Sequence, residues 1–83
     1  MKVCTIGLGY IGLPTSAVFA QYGVDVVGVD IHQSVVDKLN RGEIHIEEPG
    51  LGDVVKDVVA KGKFHASLEP EKADAFIIAV PTP

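Results

Sequence analysis

The chain of 83 residues has no tryptophan, one methionine and a single cysteine, Cys4. One thiol cannot build a disulfide framework, so rigidity has to come from packing, as in a reducing compartment. Basic residues are outnumbered: seven Lys and Arg stand against eleven Asp and Glu, a formal net charge of −4, and they form no stripe. That excludes the electrostatic footprint of a nucleic-acid binder. No apolar run approaches the ~20 residues that a membrane-spanning helix needs. The apolar start of the chain breaks at Gly7 and Gly9 with no processing site behind it, which argues against a secretory signal. Repeats, low-complexity tracts and linkers are missing as well. His32, His45 and His65 have none of the spacings of a metal site. The chain is expected to be soluble and cytoplasmic, without a metal, a nucleic-acid partner or a membrane partner.

What is present suffices for a fold. Hydrophobic residues make up 47% of the chain and charged ones 22%, far from the composition of a disordered segment. A domain this small buries roughly 60–65% of its unfolded surface, so the core is thin. Residues 3–6, 24–30, 64–68 and 75–80 read as strands, and 10–22, 33–40 and 49–61 as helices. The first helix offers Ala17, Val18, Phe19 and Tyr22 as an inward face. The second offers Val35, Val36 and Leu39 and ends at Arg41-Gly42. The third carries Leu51, Val54, Val55, Val58 and Val59 at helical spacing, with Gly62 at its end. Pro49 suits the first turn of that helix, where its missing N–H costs nothing. Unbroken apolarity in A-F-I-I-A-V at 75–80 suits a strand covered on both faces. The order β-α-β-α-α-β-β defines the α/β class. It predicts the first half of a Rossmann-like, doubly wound parallel sheet of about four strands in the order 3-2-1-4.

The chemistry of the chain is concentrated at Gly7-Leu8-Gly9-Tyr10-Ile11-Gly12. G-x-G-x-x-G is a weak signal alone, but here it follows the first strand and opens the first helix. Gly7 permits a tight turn, Gly9 lets backbone approach a pyrophosphate, and Gly12 lets helix and strand pack closely. The free N–H groups and the positive end of the helix receive the diphosphate. Asp30 closes the second strand 18 residues after Gly12, where a dinucleotide-binding fold places the acid that holds the adenosine ribose. A carboxylate there repels a 2′-phosphate, and no arginine follows to accommodate one, which favours NAD over NADP. FAD-binding proteins and some methyltransferases use similar loops, so the loop by itself leaves the ligand class open.

These residues resemble the UDP-glucose/GDP-mannose dehydrogenase family over essentially the whole chain. The resemblance is carried by G-L-G-Y-I-G-L-P at 7–14, V-D at 29–30, L-N-R-G-E at 39–43, E-P-G-L at 48–51 and A-D-A-F-I-I-A-V-P-T-P at 73–83. Within the family, G-E-I-H-I-E-E-P at 42–49 looks most like the branch that oxidises UDP-N-acetyl-D-mannosamine. The resemblance implies oxidation of a UDP-sugar at C6 to the uronic acid, in two NAD-dependent steps through a thiohemiacetal on a cysteine. It implies cofactor contacts at Tyr10, Ile11, Asp30 and Thr82. The family's catalytic residues lie beyond residue 83. Residues 1–83 are therefore expected to be the N-terminal part of a dinucleotide-binding domain that is inactive alone, with catalytic and substrate domains lying further on.

Other residues have plainer readings. Cys4, inside the first strand, is a small buried side chain rather than the family's nucleophile. Glu47 and Glu48 are acids near a helix N-terminus rather than an acid/base pair. Asp53, Lys56, Asp57 and Lys61 mark a solvated helix face. The alternative to an enzyme portion is a stand-alone NAD- or nucleotide-binding module. In either case the fourth strand is expected to present an open edge through which the chain self-associates, as a homodimer or by open-ended aggregation.

Overall fold

The computed structural model describes residues 1–79. Thr82 and the end of the expected fourth strand lie outside the described residues. The elements run β1 (Lys2–Ile6), α1 (Gly12–Gln21), β2 (Asp25–Val29), α2 (Gln33–Asn40), α3 (Leu51–Ala60), β3 (Phe64–Ser67) and β4 (Ala75–Ile78). The four strands form one sheet in the order β3-β2-β1-β4, and every pairing is parallel. This is the expected α/β arrangement.

The register sorts the side chains into two faces. Val26 pairs with Phe64 and Gly28 with Ala66, and all three helices pack on that face. Leu13, Ala17 and Ala20 of α1, Val36 and Leu39 of α2, and Leu51, Val55 and Val58 of α3 join Val26, Phe64 and Ala66 in one core. Cys4, Val27 and Val29 occupy the opposite face, where residues 68–74 run as a strap between β3 and β4. Ala73 packs on this second cluster. Glu71 of the strap takes 2.8 Å contacts from Lys2 Nζ and from His65 Nε2, tying β1 to β3 across the sheet.

Three expectations are corrected. Val18, Phe19 and Tyr22 are exposed, and the inward face of α1 is Leu13, Ser16, Ala17 and Ala20. The helix lies close enough to the sheet and to α3 that small side chains fit beneath it and large aromatic ones do not. Pro49 is not in the first turn of α3. It sits with Gly50 in a turn closed by the Leu51 N–H donating to the Glu48 carbonyl at 3.1 Å. The φ of +81° and ψ of −15° at Gly50 make this a type II turn, with proline and glycine at its two central positions. Finally, β4 is not covered on both faces. Phe76 is 54% and Ile78 72% exposed, because only a short strap, not a helix, crosses their side of the sheet.

The α2 terminus follows expectation. The Gly42 N–H bonds to the Leu39 carbonyl at 2.9 Å and the Glu43 N–H to the Lys38 carbonyl at 3.0 Å. This paired closure needs the φ of +79° that glycine adopts without strain. It turns residues 43–48 back toward the mouth of the sheet.

Candidate dinucleotide site

The carboxyl ends of β1 and β2 lie side by side, tied by the Gly7 N–H donating to the Val29 carbonyl at 2.9 Å. Above them opens a cleft of about 650 Å³. Its floor is Ile6 and the loop from Gly7 to Tyr10, and one wall is Val29, Asp30, Ile31 and His32. Ser34 and Val35 of α2, with His45 and Ile46 of the returning loop, complete it. Most of this lining is apolar, and Asp30 is its one carboxylate among the described residues.

The glycine loop is shaped by sterics. A Cβ on Gly12 would fall 1.8 Å from the Gly7 carbonyl oxygen, closer than any two such atoms can approach. Gly12 is therefore what allows α1 to begin directly against the turn. A Cβ on Gly9 would meet nothing within 4 Å, so that position borders open space. Leu8 turns the other way and is almost fully buried. Its side chain fills the room left by Gly28 of β2, where a Cβ would come within 2.6 Å of a Leu8 methyl. The cleft floor is thus nailed into the core by the loop's own side chain.

Among the described residues no side chain caps the N-terminus of α1, and no acid stands in its first turn. Leu13 already donates to the Gly9 carbonyl at 3.1 Å and Pro14 carries no N–H, so an anion is met by the Gly12 amide and the loop ahead of it, with the helix dipole adding its field. This polarity, the missing Cβ atoms and the carboxylate at the end of β2 together fit the diphosphate and ribose of a dinucleotide.

Asp30 is held firmly. Its Oδ1 accepts from the His32 backbone N–H at 3.0 Å and contacts His32 Nδ1 at 2.8 Å, while Oδ2 accepts from the Leu8 N–H at 3.4 Å. Burial alone would raise its carboxyl above the ordinary aspartate range. The bonds from the His32 backbone and ring and from the Leu8 amide outweigh that and hold it lowered.

Of the residues singled out from sequence, Gly7, Leu8, Gly9, Tyr10 and Asp30 come together around the cleft. Gly12 lies behind them, supporting the turn. Ile11 is exposed beside the loop and does not line the cleft. The residues missed were Ile31, His32, Ser34, Val35, His45 and Ile46. The first four follow Asp30 directly and could have been inferred from the strand end. His45 and Ile46 reach the cleft only because the chain folds back after Gly42.

The whole chain, residues 1–83, matches the model of the UDP-glucose/GDP-mannose dehydrogenase family, NAD binding domain. The UDP-N-acetyl-D-mannosamine dehydrogenase of Campylobacter jejuni is 62% identical over 82 residues, which are 99% of this chain and 20% of that protein. The Escherichia coli K12 protein of the same name is 59% identical over 81 residues, 98% of this chain and 19% of that one. Among solved structures, the UDP-N-acetyl-mannosamine dehydrogenase of Staphylococcus aureus superposes with a TM-score of 0.97 at 59% identity, covering 100% of this chain and 20% of that one. A ternary complex of GDP-mannose dehydrogenase from Pseudomonas aeruginosa gives 0.94 at 28% identity, covering 100% of this chain and 20% of that one. The chain spans about one fifth of the length of these relatives. It belongs to the UDP-glucose/GDP-mannose dehydrogenase family and corresponds to that family's NAD-binding domain.

Proposed function

We propose that residues 1–83 hold the adenosine diphosphate half of NAD for an enzyme that oxidises UDP-N-acetyl-D-mannosamine at C6 to the uronic acid. In this reading the diphosphate lies on the Gly7–Gly12 loop and the α1 N-terminus. Asp30 accepts the adenosine ribose hydroxyls, and Leu8, Tyr10, Ile11 and Thr82 border the cofactor. NAD, once bound, supplies the hydride acceptor; the chain's own contribution is to bind and orient it. The reading of the sugar rests on relatives of that name at 59–62% identity. The observation that carries the cofactor reading is the Asp30 carboxylate, which lines a mostly apolar cleft beside the uncapped end of α1.

Residues 1–83 by themselves bind and do not turn over. The one thiol, Cys4, is fully buried in β1, away from the cleft and unable to reach a sugar. A cytoplasmic location goes with this reading, supported by a lone unpaired cysteine and a cofactor drawn from the cell's NAD pool. The open edge of β4 is the surface through which two copies associate.

Titration calorimetry tests the cofactor reading. ADP-ribose should bind about as well as NAD, both weakly. Asp30→Ala should weaken both by about 1–3 kcal/mol, as charged hydrogen bonds are lost. A marked preference for NAD over ADP-ribose, or an unaffected Asp30→Ala variant, would overturn it. Incubation with NAD and UDP-N-acetyl-D-mannosamine should give no NADH.

A further inference from the structure

We propose that His32 is a specificity-determining residue of the cleft: on gaining a proton it weakens discrimination against a ribose 2′-phosphate, so the preference for NAD over NADP narrows in acid. The proposal rests on the reading of Asp30 as the ribose acceptor and adds a second residue to it. His32 follows β2 by three residues and lines the cleft. Its ring Nδ1 stands 2.8 Å from Asp30 Oδ1. Its side chain is 68% exposed, against 15% for that of Asp30. The ring is therefore clamped at one nitrogen and open to water at the other.

The chemistry follows from which nitrogen carries the proton. A carboxylate oxygen only accepts, so Nδ1 must donate to it, and the neutral ring keeps its proton there. Nε2 then offers a lone pair to the cleft rim, and the Asp30–His32 pair carries one negative charge. Both features repel a 2′-phosphate. When the ring takes up a proton, it enters at Nε2. The contact to Asp30 is kept, the pair becomes neutral overall, and Nε2 becomes a donor that a phosphate oxygen can accept from. The ribose hydroxyls of NAD still find the Asp30 carboxylate, so NAD loses little while NADP gains. Imidazole is the side chain whose charge ordinarily changes between pH 5 and 8.

Besides Asp30 at the end of β2, the titratable side chains that share the cleft lining with this ring are His45 of the returning loop and Tyr10 of the glycine loop. The N-terminus of α2, for which His32 is the cap residue without a side-chain bond, adds a positive field. The buried Nδ1 of His45 has no hydrogen-bond partner among the described residues.

Calorimetric Kd values for NAD and NADP between pH 8 and pH 5 test this on the full chain, His32→Gln, His32→Lys and His45→Gln. The 2′-phosphate itself changes charge near pH 6, equally for every variant, so each profile is read against His32→Gln. On acidification the ratio of Kd for NADP to Kd for NAD should fall about fivefold more in the unaltered chain than in His32→Gln, the size of an exposed ion pair. His32→Lys should show the narrowed preference at every pH, and His45→Gln should keep the original profile. Matching profiles for the unaltered chain and His32→Gln would overturn the proposal, as would its loss in His45→Gln alone. If neither nucleotide binds at any pH, the cofactor reading falls and this proposal with it.

Discussion

The side-chain amide of Asn40, the last residue of α2, makes two hydrogen bonds to the backbone of Ala66 in β3. Its Nδ2 donates to the Ala66 carbonyl at 3.0 Å, and its Oδ1 accepts from the Ala66 N–H at 2.7 Å. One side chain thereby imitates the next strand along the outer edge of β3. An exposed sheet edge invites pairing with another chain, and at Ala66 this one is closed by the protein itself.

Asn40→Ala should therefore destabilise the fold by about 1–3 kcal/mol, since a partly buried donor and acceptor both lose their partner. Urea denaturation would show a lower midpoint with an unchanged slope. Calorimetry should find NAD affinity unaffected, because the contact lies outside the cleft.

At the other edge, no described side chain closes β4 in this way. The Ile78→Lys variant should convert self-associated material to monomer, placing a charge on a residue that is already 72% exposed and so leaving the fold intact. Light scattering on a size-exclusion column would decide it. A clean monomer of the unaltered chain at high micromolar concentration would count against association through β4.

Gly12→Ala should be severe for one methyl group. The added carbon would be placed 1.8 Å from the Gly7 carbonyl oxygen; that oxygen is backbone and a Cβ has no torsion to turn it away, so α1 or the turn must move. Overpacking of this kind costs about 1–3 kcal/mol. ADP-ribose binding should drop further than stability does, because the displaced segment is the cleft floor. Thermal unfolding and calorimetry on the same sample separate the two losses.

Acid should weaken the strap. Hydrogen bonds from Lys2 and His65 hold the Glu71 carboxyl below the ordinary glutamate value of 4.5, against a smaller opposing effect of burial. A carboxyl lowered in the folded state binds its proton at a higher pH once unfolded. Its contribution is therefore complete above about pH 4.5 and is lost as pH falls through the folded value. Asp30 acts in the same sense below its ordinary 3.8. Glu71→Gln should start less stable at neutral pH and lose less than the unaltered chain on acidification, as read from urea midpoints.

Much of this was legible before the structure. Strand order, helix order and the glycine loop follow from backbone demands that leave marks on residue type. Gly12 stands where it does because any Cβ there would run into the Gly7 carbonyl, and Asp30 ends β2 within hydrogen-bond reach of the Leu8 and His32 amides. Packing direction was harder to read. In α1, apolar or small residues surround most of the helix, so its periodicity names no inward side. The choice is made by the distance of α1 from α3 and the sheet, which admits Ala17 and Ala20 and turns Phe19 outward. Pro49 misled for a related reason, since a proline beside a glycine opens a helix as well as it makes a type II turn. His45 and Ile46 enter the cleft through the reversal after Gly42, which has no periodic signature.

Cys4 lies fully buried on the face crossed by the strap. Because it is the only thiol in the chain, the rate at which a thiol reagent labels it is a clock for the opening of that face. Where reclosing outpaces labelling, the rate reports the fraction of time the face stands open, with no probe to install and no second site to subtract. The chain carries its own gauge of breathing motion, set beneath the Lys2–Glu71–His65 contacts that hold the strap down.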